Sequence, residues 1–83
     1  NPQCEQAQSD LETTRERLRG FEDSANALAL IEPDAVNEPD EWEAWNLEAR
    51  AAALRINAAQ RRINEILAWM RWNNCPAVIG SGG

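Results

Sequence analysis

The sequence predicts an all-α fold. It is an antiparallel two-helix hairpin, coiled-coil-like and closed by an intrachain disulfide, with association into a four-helix bundle open to it. Three observations predict this. Two stretches each carry an unbroken heptad seam of apolar or small residues, a proline-marked connector separates them, and the only two cysteines, Cys4 and Cys75, stand near the two ends. With 83 residues there is room for a single domain. Its expected extent is 1–76, with 77–83 as a flexible tail ending in Gly80-Ser81-Gly82-Gly83.

The first seam is Cys4, Ala7, Leu11, Thr14, Leu18, Phe21, Ala25 and Leu28, with spacings of three and four in turn. Such a seam asks for one long helix with one partner face. A helix over about 4–31 follows. Gly20 lies inside it at a cost of about 1 kcal/mol relative to Ala, and a bend there is expected. Pro33 disfavours helical backbone at Glu32, so the helix stops there.

Residues 32–38 read as the connector, with Pro33 and Pro39 marking its limits and Asn37 placed to cap the next helix. Its acids, with Asp40, Glu41 and Glu43 just beyond, lack the central glycine of a calcium loop. They suit the positive end of the second helix instead. That helix is expected over about 39–74, stopped by Pro76. Its seam is Trp42, Trp45, Ala49, Ala52, Ile56, Ala59, Ile63, Ile66, Met70 and Asn73.

A metal site needs about four ligands and there is no histidine to add to the two cysteines, whose spacing is also unlike that of a thioredoxin-type motif. A Cys4–Cys75 disulfide is the structural reading, and it implies an oxidising compartment: periplasm, cell exterior or virion surface. Placing these two opposite each other sets the register. Leu11 then falls near Ile66 and Met70, Leu18 near Ile63 and Ala59, Phe21 near Ala59 and Ile56, and Leu28 near Ala52 and Ala49. Large side chains on one helix meet small ones on the other, so two separate patterns agree. The same register brings Arg17 level with Arg62. Trp42 and Trp45 are expected beneath the returning connector, against Ile31 and Val36.

Composition narrows the function. The chain has net charge −6, no Lys, His or Tyr, and eight Arg. An acidic surface argues against nucleic acid as partner. The missing His and Lys remove two common general bases and the Schiff-base nucleophile. No run of 18 apolar residues predicts a membrane span. Arg and Ala in place of Lys point to a GC-rich bacterial or phage source, and the start Asn1-Pro2-Gln3 reads as a mature or trimmed fragment of an exported protein. No cofactor or metal is expected.

The hairpin leaves apolar residues over. Leu47, Leu54, Leu67, Trp69 and Trp72 lie off the second seam, and Ala27, Leu30 and Ile31 flank the first. They either widen the core, cover a short segment such as Ala77-Val78-Ile79, or form an intermolecular surface. The turn Trp69-Met70-Arg71-Trp72 carries two residue types that anchor interfaces. Trp69, Arg71 and Trp72, with Leu67 and Arg62, are therefore the candidate partner-binding residues. Trp69 is expected half exposed and Trp72 partly buried against the N-terminal turn. A membrane interface would also suit these indoles with Arg61, Arg62 and Arg71, but the chain as a whole is acidic.

Three function classes remain. The first is an exported interaction module acting by surface occupation, as an inhibitor, immunity, adaptor or assembly protein, with another protein or a second copy as partner. The second is a coiled-coil structural segment of a membrane-anchored machine. The third is a small all-α enzyme holding an anionic substrate with Arg17, Arg55, Arg62 and Glu16, a class the expectation sets aside. Two families resemble the chain in part. Secreted hairpins of the WXG type are similar in size and architecture, but where their turn carries Trp-x-Gly this one reads Trp42-Glu43-Ala44-Trp45. The C-terminal half resembles the periplasmic end of phage Rz-type spanins on Asp40-Glu41-Trp42, Leu54-Arg55 and Asn74-Cys75. That resemblance covers fewer than half the residues and implies the second class, with a role in phage lysis.

Overall fold

Two helices make up the described part of the chain, residues 1–76 of a computed structural model: α1 over Pro2–Leu30 and α2 over Pro39–Trp72. They pack against each other as an antiparallel hairpin. The radius of gyration is 17.5 Å, whereas a compact chain of this length would have about 12 Å. The molecule is a rod of 58 × 20 × 15 Å. The expectations for Ala77-Val78-Ile79 and for the tail lie outside the described residues.

The helix starts are set by local chemistry. α1 begins two residues earlier than periodicity suggests, because Asn1-Pro2 is itself a start signal. The Asn1 side-chain oxygen accepts from the Gln3 backbone N–H at 2.9 Å, and Pro2 occupies the first helical turn, where its missing N–H costs nothing. At α2, Pro39 plays the same part behind Glu38, which makes no side-chain capping bond. Asn37, expected as the cap, does not cap: its side-chain amide donates to Asp34 Oδ2 at 2.7 Å.

Asp34 organises the connector. Its Oδ1 accepts from the backbone N–H of Val36 at 2.8 Å and of Asn37 at 3.3 Å, and its carbonyl accepts from the Glu38 N–H at 2.7 Å. The Val36 backbone bond, followed by those from Asn37, holds the Asp34 carboxyl below its ordinary pKa. The indoles also differ from expectation. Ile31 and Val36 are 68% and 85% exposed and cover nothing. Instead the Trp45 Nε1–H donates to the Leu28 carbonyl at 2.7 Å, an oxygen that also accepts from the Ile31 N–H at the end of α1, and the Trp42 Nε1–H donates to Glu32 at 3.2 Å. The two rings lie 6.3 Å apart and tilted. Polar tips of half-buried aromatics thus tie the connector end together.

The seams are where periodicity places them. Every seam residue of α1 is buried or half-buried, and so is every one of α2 except Asn73. Thr14 is accommodated because its hydroxyl donates to the Asp10 carbonyl at 2.7 Å. Burial is densest towards the disulfide, where Ala7, Leu11, Ile66 and Met70 form the core cluster, with Ile63, Leu67 and Cys75 packed on it. Leu11, among the described residues the one large side chain with no exposure, meets the residues the register assigns to it.

Small residues at the contact let the helices approach, since Ala52 and Ala59 are both buried. Replacing either by Leu is expected to overpack the seam and cost roughly 1–3 kcal/mol in chemical denaturation. The same change at exposed Gln60 should move stability little, and equal losses at the two places would put the wrong face inside. Gly20 gives the opposite case. α1 runs through it unbroken, and a Cβ added there would meet nothing within 4 Å. Gly20→Ala should therefore raise stability by roughly 0.5–1 kcal/mol, read as a higher thermal midpoint. A lower midpoint would mean that the glycine serves the backbone.

Candidate interaction surface

The disulfide end is built by the way α2 stops. Its last helical residue is Trp72, two residues short of expectation, because Asn74 takes a left-handed backbone with φ of 53°. Asparagine tolerates that conformation better than other side chains that carry a Cβ. The Cys75 N–H then donates back to the Met70 carbonyl at 2.9 Å, and the Asn74 N–H to the Arg71 carbonyl at 3.2 Å. This pair of bonds closes the helix with a Schellman turn. The turn folds Cys75 back over Met70 and against the core cluster, where it bonds to Cys4 with the Cα atoms 5.6 Å apart. Asn73-Asn74 before the cysteine was a readable signal for this stop, since Asn follows Gly in preference at that position.

Around this end the five candidate residues divide. Trp69, one residue before the seam position Met70, flanks the core and is 38% exposed, as expected. Trp72 corrects the expectation: it is 86% exposed and not packed on the N-terminal turn. Two residues beyond Met70 is a rotation of about 200°, which turns the indole to the outer side of α2. Cys4, Met70 and the returning Cys75 occupy the place assigned to it. Leu67 is half-buried against the Leu11 cluster and contributes its edge only. Arg71 is exposed in the last turn, where its charge suits the negative helix end. Arg62 pairs with Glu65 at 3.6 Å on the helix surface, an exposed pair of small energetic worth.

Two grooves run along one side of the hairpin and share Asp10 and Arg62. The one nearer the disulfide holds about 530 Å³, with Trp69 in its wall and Ile66 and Ala7 in its lining. The other holds about 480 Å³ and gathers Arg17, Arg55 and Arg62 around Phe21, Thr13 and Thr14. The arginines named for an anionic substrate thus share one groove, but Glu16 does not line it. Among the described residues no helix is long and apolar enough to cross a membrane. No protein family, curated protein or solved structure matches the chain. The geometry of this end therefore carries the functional argument alone.

Proposed function

We propose that the chain is an exported protein–protein interaction module that acts by occupying a surface of its partner, with the disulfide-closed end as its contact surface. One observation carries this reading: Trp72 stands 86% exposed, with Trp69 half exposed three residues before it, on a helix end that a covalent bond holds to its neighbour. An exposed indole is poorly suited to water and well suited to a partner's pocket. Because its backbone is already ordered, little conformational freedom is lost when it docks. Inhibitor, immunity, adaptor and assembly proteins of bacteria and phages work in this way. The disulfide supports an oxidising setting.

A second reading, a coiled-coil structural segment of a membrane-anchored phage or bacterial machine, is favoured by the rod of 58 × 20 × 15 Å. Affinity capture on immobilised protein separates the two, with the Trp69→Ala/Trp72→Ala double variant as matched control. A retained protein that binds the double variant at least about tenfold more weakly, at unchanged helicity, supports the contact surface. Equal binding by both would overturn it.

A further inference from the structure

We infer that the arginine groove between α1 and α2 is a binding site for a short acidic segment of a partner protein. Six of the eight arginines lie within residues 15–19 and 55–62, where Glu16 is the one carboxylate. Arg17 from α1 and Arg55 and Arg62 from α2 line the same groove, with Phe21 and Ala59 as its apolar part. Arg62 meets Glu65 at 3.6 Å, whereas among the described residues Arg17 and Arg55 form no ion pair. Asp10 also lines the groove, and its Oδ1 accepts from the Gln6 side-chain amide at 3.0 Å. Paired helices ordinarily set opposite charges across their flanks. Here like charges from the two helices share one concavity. Their guanidinium forks are left without a carboxylate from the chain, and such forks bind a carboxylate through two parallel bonds.

Shape and charge together select the occupant. The neighbouring groove shares Asp10 and Arg62 and continues the cleft past Ile66 to Trp69. Arg55 and Trp69 are 14 residues apart on α2, about 21 Å, which is the reach of about six residues of extended chain. Among the described residues two helices alone wall this cleft. A small ion there stays largely in water, where each charge contact is weak. A chain spreads several contacts along the cleft. Asp10 and Glu65 border the half nearer the disulfide, so the segment's carboxylates belong at Arg17 and Arg55, and an apolar side chain belongs against Ala7, Ile66 and Trp69. A nucleic acid or an anionic membrane would reach past the groove to the acidic remainder of a chain with net charge −6. A short segment is screened from those carboxylates, because the field of an exposed charge fades over about 8 Å at physiological salt.

The inference rests on the proposed function in taking the ligand to be part of a partner protein, and it adds what that part carries. NMR titration of the oxidised full chain tests it. The probe is a synthetic capped peptide of four glutamates between two leucines, and the control is the same peptide with glutamines. Backbone and arginine Nε–H signals of Thr13, Arg17, Phe21, Arg55 and Arg62 should shift together and saturate, while those of Arg19 and Arg50 stay in place. The glutamine peptide should bind at least about tenfold more weakly, and raising salt from roughly 0.05 to 0.3 M should weaken the glutamate peptide at least about threefold. Arg17→Gln/Arg55→Gln should lose at least about tenfold at unchanged helicity. Arg19→Gln/Arg50→Gln removes the same charge away from the groove and should lose less than about twofold. No saturable shift, equal losses in the two double variants, or free citrate binding as tightly as the peptide at equal ionic strength would overturn the inference. The two readings fail separately. A groove that ignores the peptide would leave partner capture by Trp69 and Trp72 standing, and equal capture by the variant lacking both indoles would leave the peptide site standing.

Discussion

Reduction of the Cys4–Cys75 disulfide is expected to lower the thermal midpoint substantially. The bond joins residues 71 apart in sequence, and closing a loop of that size stabilises by about 4 kcal/mol in the chain-entropy view. The core it supports is thin. Among the described residues those buried are Cys4, Ala7, Leu11, Ala52, Ala59, Ile66 and Met70, so three of them are alanines. A small domain has a total stability of only about 5–15 kcal/mol, and one built on so few large side chains belongs at the low end. Loss of the bond also releases Cys75 from Cys4 and loosens the cover that Cys75 gives the core cluster. Thermal unfolding with and without reductant measures the effect. An unchanged midpoint would mean that the helices hold each other without the staple. Non-reducing electrophoresis should show one covalent chain, and a covalent dimer in most of the material would contradict the intrachain bond.

Leu11→Ala is expected to cost roughly 2–5 kcal/mol, the range for removing a buried leucine from a packed site. Leu11 has no exposed surface and sits among Ala7, Ile66 and Met70, with Ile63, Leu67 and Cys75 closing the periphery. The disulfide pins the helices on one side of it, so the site cannot collapse to fill the void. Denaturant melts of the oxidised protein read the loss. Leu54→Ala, on the exposed outer face of α2, should cost little in the same assay at concentrations where the chain is monomeric. A loss at Leu11 no larger than at Leu54 would show that the core is not where the structure places it.

The surface named for a partner was legible in part. Trp69 lies 100° from Met70 by helix geometry and is half exposed, as that angle requires. Trp72, expected against the N-terminal turn, lies nearly opposite the seam by helix geometry and is exposed. Leu67 is nearer the core than a contact residue should be, since a globular helix buries more than its strict heptad positions. Leu47 and Leu54 are visible in the sequence as leucines off the seam, but that they face outward depends on which face of α2 is covered by α1.

By itself the sequence determined the two helices, the antiparallel direction, the disulfide and the register. Heptad spacing specifies which residues share a face, and one covalent link between the ends then leaves a single alignment of those faces. Large residues opposite small ones confirmed that alignment before any coordinates. Only the tertiary structure decided the ends. Whether α2 stops at Trp72 or Asn74 turns on the backbone angle of one residue, Asn74. The connector is ordered by Asp34 and not by Asn37 because the oxygen that reaches the free N–H groups depends on the local path of the chain. The indole N–H groups of Trp42 and Trp45 chose Glu32 and the Leu28 carbonyl for the same reason. Periodicity reports a direction around a helix axis; the hydrogen bonds that finish a helix depend on distances of a few tenths of an ångström, which exist only once the chain has folded.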